Sequence, residues 1–282
     1  MNKNNDFDVV ITPNRKWYDL RIKELVRYKD LIWLFVKRNF SAQYKQTILG
    51  PAWFIINPLI SALVSTVIFG KIANISSEGI PYFLFYLVGN TLWNYFSACV
   101  SVTASTFTAN AGIMGKVYFP RLTVPISSVI FSAINMIIVF VLSVITAIVY
   151  IVLGYNIHFG IHMLLIPILM IQTAILGLGV GITISALTTK YRDFAVLVNF
   201  GLSLWMYLTP VVYPISEVPY KLRPLILLNP MSAVIQNYKY AVLGIGNIEV
   251  RYWILSIAIT MMLSFAGLVL FNKVEKTFMD TV

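Results

Sequence analysis

The sequence predicts an all-α integral membrane protein. Of its 282 residues 59% are hydrophobic and only 11% are charged, against roughly 45 to 50% apolar and about 25% charged in soluble domains. The apolar residues gather in runs long enough for a hydrocarbon core, which takes about 20 residues per helix. The Lys and Arg residues, by contrast, crowd into the N-terminal segment and a few short loops. Together these features predict six transmembrane helices, an N-terminal amphipathic interface helix, and a re-entrant helical pair before the last span.

The elements follow in order. Residues 1–14 are polar and lack periodicity. From Arg15 to Asp30, Lys16, Asp19, Lys23, Arg27 and Asp30 recur at three- and four-residue steps, while Trp17, Tyr18, Ile22, Leu25 and Tyr28 fall largely on the other side. Such a helix lies in the membrane surface; the alternative is a short helix packed on soluble protein. Residues 1–30 are therefore set apart as tail and interface helix, and 31–282 as the transmembrane domain. At Gly50-Pro51 the chain turns from basic to apolar. Proline starts a helix at little cost, because its missing N–H would have no intrahelical partner there, and Lys45 and Trp53 anchor that start at the interface. Spans are expected near 52–72, 82–103, 124–153, 163–187, 194–212 and 252–271. Between Tyr213 and Arg251 the apolar run is broken by Pro219, Pro224 and Pro230 and punctuated by Glu217, Lys221, Arg223 and Lys239. It reads as two short re-entrant or interfacial helices, a form tolerated only where protein or water covers the exposed backbone. In the fourth span Gly177, Gly179, Gly181 and Ser185 give the small-residue spacing of close helix approach in lipid.

Charge sets orientation and excludes several functions. With the N-terminal segment, the Lys116–Arg121 and Lys190–Arg192 loops and the C-terminal tail inside, sixteen of the 21 Lys and Arg are cytoplasmic. Lys71, Lys221, Arg223, Lys239 and Arg251 remain outside. Both termini are then cytoplasmic. The net charge of +10 has this source, and no basic stripe with interleaved aromatics points to nucleic acid. The single Cys99 permits neither an intrachain disulfide nor a cysteine metal site. The first thirty residues have no apolar core of the signal-peptide kind. No Asp, Glu, Lys or Arg occurs from Pro81 to Gly115, from Leu122 to Thr189, or in the fifth and sixth spans, and the first has only Lys71 at its end. Ion-coupled carriers need intramembrane ionisable groups, and none is expected here. His158 and His162, without an acidic neighbour in sequence, read as interfacial residues. A nucleotide-binding loop needs G-x-x-x-x-G-K-[ST], and Gly115-Lys116 lacks the first Gly and continues with Val117. Neither a G-x-S-x-G elbow nor an H-E-x-x-H zinc motif is present.

Six blocks carry a family likeness: YKQTILGPAWFIINPL (Tyr44 to Leu59), KVYFPRLTVPISSV (Lys116 to Val129), KYRDF (Lys190 to Phe194), YLTPVVYPISEVP (Tyr207 to Pro219), LLNPM (Leu227 to Met231) and KVEKTFMD (Lys273 to Asp280). In this order they resemble the permease subunit of ABC-2 type exporters of cell-surface polysaccharide, the O-antigen, capsule and teichoic acid class. The resemblance implies a homodimer in a bacterial cytoplasmic membrane, with two copies of a separate cytoplasmic ATPase that binds ATP and magnesium. This chain itself would bind no cofactor and would conduct a lipid-linked polysaccharide outward. It also implies that the loop from Asn110 to Arg121 is a coupling element, with Lys116, Tyr118, Phe119 and Arg121 as ATPase contacts; the alternative is a basic topology anchor. In the second span Tyr82, Tyr86, Gly89, Trp93 and Phe96 share one helical face at steps of four, three, four and three. Aromatic rings cover the C–H faces of sugars as they do the faces of bases, so this face is the expected lining of the conduit, with Trp53, Trp205 and Tyr207 as further candidates. The competing reading is an interfacial aromatic belt. The alternatives kept for the whole chain are an ABC-2 exporter of a drug or lipid, an ion-coupled flippase, and a structural membrane anchor.

Overall fold

In the computed structural model, which describes residues 22–45, 47–114, 116–117, 119–188 and 194–281, helices are joined by turns and loops, and no strand occurs among the described residues. Most of the surface helix expected over Arg15–Asp30, the Lys190–Arg192 loop and Tyr118 lie outside the described residues. The first helices are α1 (Ile22–Arg27) and α2 (Lys29–Tyr44). Gly50-Pro51 starts a helix as expected: a single 3-10 turn over Gly50–Ala52 leads into α3 (Trp53–Ser65), which runs on as a π-helical segment over Thr66–Ile72. Then come α4 (Tyr82–Ala104), α5 (Thr106–Met114) and α6 (Thr123–Val152). After a 3-10 stretch over Ile161–Leu165 follow α7 (Ile166–Thr188), α8 (Phe194–Tyr207), α9 (Arg223–Leu228), α10 (Pro230–Leu243) and α11 (Val250–Thr281).

Among the described residues four helices are long and apolar enough to cross a membrane: Gly50–Ile72, Thr123–Val152, Ile161–Thr188 and Val250–Lys273. The 23-residue α4 has the length of a span, but Asn90, Thr91 and Asn94 dilute its apolar run, and it is the central helix, touching α3, α6, α7, α8 and α10. The helix expected to reach residue 212 stops at Tyr207. At 1.5 Å per residue its 14 residues rise about 21 Å, short of the roughly 30 Å of hydrocarbon. Pro210 explains the stop, since the residue before a proline is forced out of the α region; the last bonds, Leu208 N–H to Trp205 and Thr209 N–H to Met206, are already of the tighter 3-10 kind. The expected pair of short helices is present as α9 and α10. Asn229 caps α10 by accepting from the Met231 N–H at 3.1 Å, Pro230 opens it and Gly244, at φ 72°, closes it, an N-cap and C-terminal glycine arrangement that needs no tertiary help.

The glycines of α7 make the close approaches their spacing promised, on two faces. A Cβ on Gly177 would lie 2.6 Å from Cβ of Cys99, and one on Gly181 would lie 2.6 Å from Cβ of Thr103, both on α4. Gly179 points the other way, where its Cβ would meet the Ser264 backbone of α11 at 2.6 Å. Hydrogen bonds tie α7 to α11 further along and α11 to α10. Gln172 donates to Ser256 Oγ at 2.8 Å and accepts from Trp253 Nε1 at 2.9 Å, and Ser256 donates to the Pro230 carbonyl at 2.8 Å. A second, smaller cluster sits at the basic end, where Phe107 of α5 stacks on Phe271 of α11 at 4.8 Å and Phe35 of α2 meets Phe119 at 5.7 Å.

A Cβ on Gly267 would stand 2.5 Å from the Gly179 carbonyl oxygen, a backbone atom that cannot rotate away. Gly267→Val should therefore cost about 1–3 kcal/mol by overpacking and lower the thermal inactivation midpoint of the purified protein, whereas Gly112→Val, with open space around it, should leave the midpoint unchanged.

Candidate functional site

The central helix α4 decides what lies inside and what lies on a surface. Its aromatic face turns inward. Tyr82, Tyr86, Trp93 and Phe96 are 8%, 6%, 3% and 0% exposed, so in this chain they form the core. Trp93 meets Phe96 at 5.5 Å, and Phe96 meets Trp205 of α8 edge-on at 5.2 Å. Tyr86 neighbours Ser65 and Tyr207. Trp205 is half-buried, while Tyr207 and Trp53 are exposed.

About a quarter turn round α4, at 100° per residue, lies a second face: Asn94, Ser97, Ser101, Ser105 and, across the bend into α5, Thr108. Each of these is exposed or half-buried, and they recur at steps of three and four. Ser97 and Ser101, with Asn94, line a groove of about 330 Å³ between α3, α4 and α6; its other walls include Trp53, Asn57 and Ser61 of α3, Gln43 of α2 and Asn135 of α6. Asn135 Oδ1 is buried and, among the described residues, accepts no hydrogen bond. On the far side of the stripe Ser101 donates to Asn199 of α8 at 3.1 Å. Gln43 also lines a second recess of about 540 Å³ toward the basic end, walled by Asn39, Asn110, Ser105 and Ser128, with Arg38 its one charged lining residue among the described residues. That guanidinium is held in place by Asn110 Oδ1 at 3.1 Å and by the Phe35 ring at 4.7 Å. Polar side chains in a membrane protein face the bundle interior or a water-filled cavity. Among the described residues this surface offers amide and hydroxyl groups without a carboxylate, which suits hydrogen bonding to a hydroxyl-rich ligand. Trp53 is the one expected aromatic that lines it.

Beyond α8 the backbone leaves helical geometry inside the fold, and each of six successive carbonyls finds a donor. The Tyr207 carbonyl accepts from Tyr213 Oη at 3.0 Å, Leu208 from Asn229 Nδ2 at 3.2 Å and Thr209 from the Val211 N–H at 2.7 Å. Pro210 and Val211 accept from Lys239 Nζ at 2.8 and 2.9 Å, and Val212 accepts from the Tyr82 hydroxyl. Lys239 is only 5% exposed, and its ammonium also lies 3.5 Å from the centroid of the Phe85 ring. Gly89 makes the room, because a Cβ there would lie 2.6 Å from Lys239 Cε. Two expectations are corrected here. Lys239 does not stand among the external cations in water, and the helical bundle does contain a buried ionisable group. Sequence alone hides it, since the apolar window around Lys239 is short and broken by prolines; the signal available was Gly89 at the lysine's level on the facing helix.

At the basic end Lys116 is exposed, Arg121 is half-buried, and Phe119 is buried against Phe35; Tyr118 lies outside the described residues. His162 is bonded to Tyr240 through Nε2 at 3.3 Å. Among the described residues no group of three His, Cys, Asp or Glu could hold a metal ion.

Comparison with known proteins places this geometry. The family model described as ABC-2 type transporter matches residues 30–243. Two proteins of Klebsiella pneumoniae, both named O-antigen export system permease protein RfbA, are 28% and 27% identical over 252 residues, covering 89% of this chain and 94% of theirs. A Myxococcus xanthus protein of the same name is 28% identical over 220 residues, 77% of this chain and 82% of its own.

Removing the ammonium strips donors from two buried carbonyls, each worth about 1–3 kcal/mol when left unpaired. Lys239→Met, which keeps the stem, should open the chain after Tyr207 to proteolysis and lower the thermal midpoint more than Tyr82→Phe, which strips one.

Proposed function

The chain belongs to the ABC-2 type transporter family, and from that premise we propose that it is the membrane subunit of an ATP-driven exporter that moves a lipid-linked, O-antigen-like polysaccharide across the cytoplasmic membrane of a bacterium. The observation that carries the reading is the uncharged polar groove on α3 and α4. Polysaccharides present hydroxyls in every direction, and amide and hydroxyl walls exchange hydrogen bonds with them one at a time. A fixed charge in the same place would hold or repel a polymer that must slide. The names of relatives that align over 89% of the chain support the same substrate class.

In this reading the chain crosses the membrane six times, with α4 as the shielded central crossing and α8 with the run after it as the fifth. Residues 31–282 form the transmembrane domain. Both termini are cytoplasmic, the pair α9 and α10 enters from the outer side, and two copies of the chain face each other across the path. Trp53 forms part of the groove wall, and Tyr207 is an exposed ring at the end of α8. Tyr82, Tyr86, Trp93, Phe96 and Trp205 stand behind that wall and fix its position. The chain binds no cofactor; ATP and magnesium belong to two copies of a cytoplasmic ABC ATPase. That partner docks on Lys116, Tyr118, Phe119 and Arg121 together with the N-terminal interface helix, Phe119 holding the loop against α2. Ion coupling is disfavoured, because the buried Lys239 spends its donors on backbone carbonyls and is bonded to no carboxylate among the described residues.

In vesicles, ATP-dependent export should require both the chain and its partner, and the isolated chain should hydrolyse no ATP; transport by the chain alone, or driven by an ion gradient, overturns the reading. Asn57→Leu combined with Asn94→Leu should lower export per inserted complex roughly tenfold, the scale of one or two lost hydrogen bonds. Tyr86→Leu with Trp93→Leu should instead lower the yield of folded protein.

Tyr118→Ala with Arg121→Ala should leave insertion intact and weaken pull-down of the ATPase. Unchanged association and export with this pair would remove the loop from the docking surface.

A further inference from the structure

The surroundings of Arg38 hold its guanidinium in place without neutralising it. A single nitrogen, Nη2, spends its donors on Asn110 Oδ1 at 3.1 Å and Asn39 Oδ1 at 3.4 Å. Asn110 is itself fixed, donating through Nδ2 to the Thr106 carbonyl at 3.0 Å, and the Phe35 ring lies 4.7 Å from the guanidinium carbon. Among the described residues no carboxylate is bonded to Arg38. Nη1 and Nε therefore keep their N–H donors, and together they form a fork that takes two oxygens of one anion. The recess of about 540 Å³ that Arg38 lines adds two further donors. Ser128 accepts from Asn39 Nδ2 at 3.4 Å and keeps its own proton to give, and Gln43, exposed at the rim, is bonded to nothing among the described residues. A cation kept only to orient the chain in a membrane needs no such bracing; Lys37, one residue earlier and exposed, has none among the described residues.

We infer that the Arg38 recess is a binding site for a phosphate group carried by a lipid, the linkage through which the exported polymer is held on its carrier. This rests on the reading of the chain as an exporter of a lipid-linked polysaccharide. Phosphate fits the donor set better than carboxylate does. Donors converge from Arg38 and Gln43 of α2 and from Ser128 of α6, and the tetrahedral oxygens of a phosphate can meet several of them, whereas a planar carboxylate is used up by the guanidinium fork. The height fits as well, because the recess lies toward the basic end, the level at which Lys and Arg attract anionic lipid headgroups. On the polymer side Gln43 also lines the groove of Trp53, Asn57 and Asn94, so a sugar joined to a phosphate at Arg38 enters the uncharged wall directly. Asn135 Oδ1, buried in that groove without a donor among the described residues, is the acceptor for a hydroxyl of that sugar.

The test uses the full complex in nanodiscs of net-neutral phosphatidylcholine, with native mass spectrometry reading the lipid retained. Polyprenyl phosphate should be retained, and polyprenol, the same chain without the phosphate, released. Arg38→Gln should lower retention roughly tenfold or more, the scale of one or two lost charge-assisted hydrogen bonds. Arg38→Lys should recover only part of it, because an ammonium brings charge without the fork. Lys37→Gln, which removes the same charge one residue away, should change nothing. In the unmutated complex polyprenyl phosphate, and not polyprenol, should shield Arg38 from phenylglyoxal, a readout that needs no variant to fold. Equal loss from Lys37→Gln and Arg38→Gln, or no shielding, overturns the site. Retention of phosphatidylglycerol as strongly as polyprenyl phosphate would make bulk headgroups the ligand, displacement by an equal concentration of inorganic phosphate would make it a free ion, and either overturns the assignment to the carrier. Arg38-dependent retention in a complex that exports no polysaccharide supports the site and sinks the exporter reading; export without that retention sinks the site and leaves the reading standing.

Discussion

Six consecutive backbone carbonyls without helical partners, the last four of them on buried residues, set the terms for everything around them. Each such group left unpaired away from water costs several kcal/mol, so irregular backbone after Tyr207 exists only because side chains reach it. Besides Tyr213, which bonds the Tyr207 carbonyl from the same run, the side-chain donors come from three places. Asn229 caps the next helix and bonds Leu208 as well, Lys239 projects from α10, and Tyr82 comes from the first turn of α4. The demand for Lys239 keeps α10 buried from Met231 to Lys239 and places Gly89 opposite it. The demand for Tyr82 fixes the rotation of α4. With that rotation set, Tyr86, Trp93 and Phe96 have to face the core, and Asn94, Ser97 and Ser101 have to face the groove.

This chain of dependence explains which features were legible in the sequence. Local rules worked where local chemistry decides: Gly50-Pro51 opens a helix, the prolines between Tyr213 and Arg251 set off two short helices, and the glycines of α7 mark close approach. The long apolar runs gave four spans with nearly the expected limits. The aromatic periodicity of α4 was also real, but periodicity fixes which residues share a face and not which way the face points. The polar stripe a quarter turn away has the same spacing, and only the tertiary demand on Tyr82 separates the two. The end of α8 was missed for a related reason. Composition continues apolar through Val212, whereas Pro210 acts on backbone geometry, to which hydropathy is blind. Lys239 was invisible because its acceptors lie 28 and 29 residues earlier in the chain.

The groove's neutrality and the placement of the cations belong to one design. Arg38, with Phe35 and Asn110 around it, stands at the recess nearest the basic end, and beyond Gln43 the wall offers only amides, hydroxyls, Trp53 and other apolar groups. Charge thus stands at the recess nearest the basic end and is absent from the described wall of the groove. The buried Lys239 does not break this rule, since its ammonium points away from the groove into carbonyls and a ring.

One continuous run of chain, α4 with α5, touches the break, the groove and the loop on which the proposed function draws. Its first turn holds the break through Tyr82, its middle lines the groove, and its end leads directly into the loop that carries Lys116, Phe119 and Arg121. The bend between the two helices falls at Ser105, whose hydroxyl bonds back to the Val102 carbonyl at 3.1 Å, while Thr108 and Asn110 bond back to Ser105 and Thr106 at 3.1 and 3.0 Å. Back-bonding of this kind bends helices, so residues at the end of the polar stripe also shape the joint. Below the joint, α5 is gripped through Phe107 on Phe271, and the loop through Phe119 on Phe35. The loop is thus joined to α4 through a helix with aromatic packing on both sides and a bend at its start.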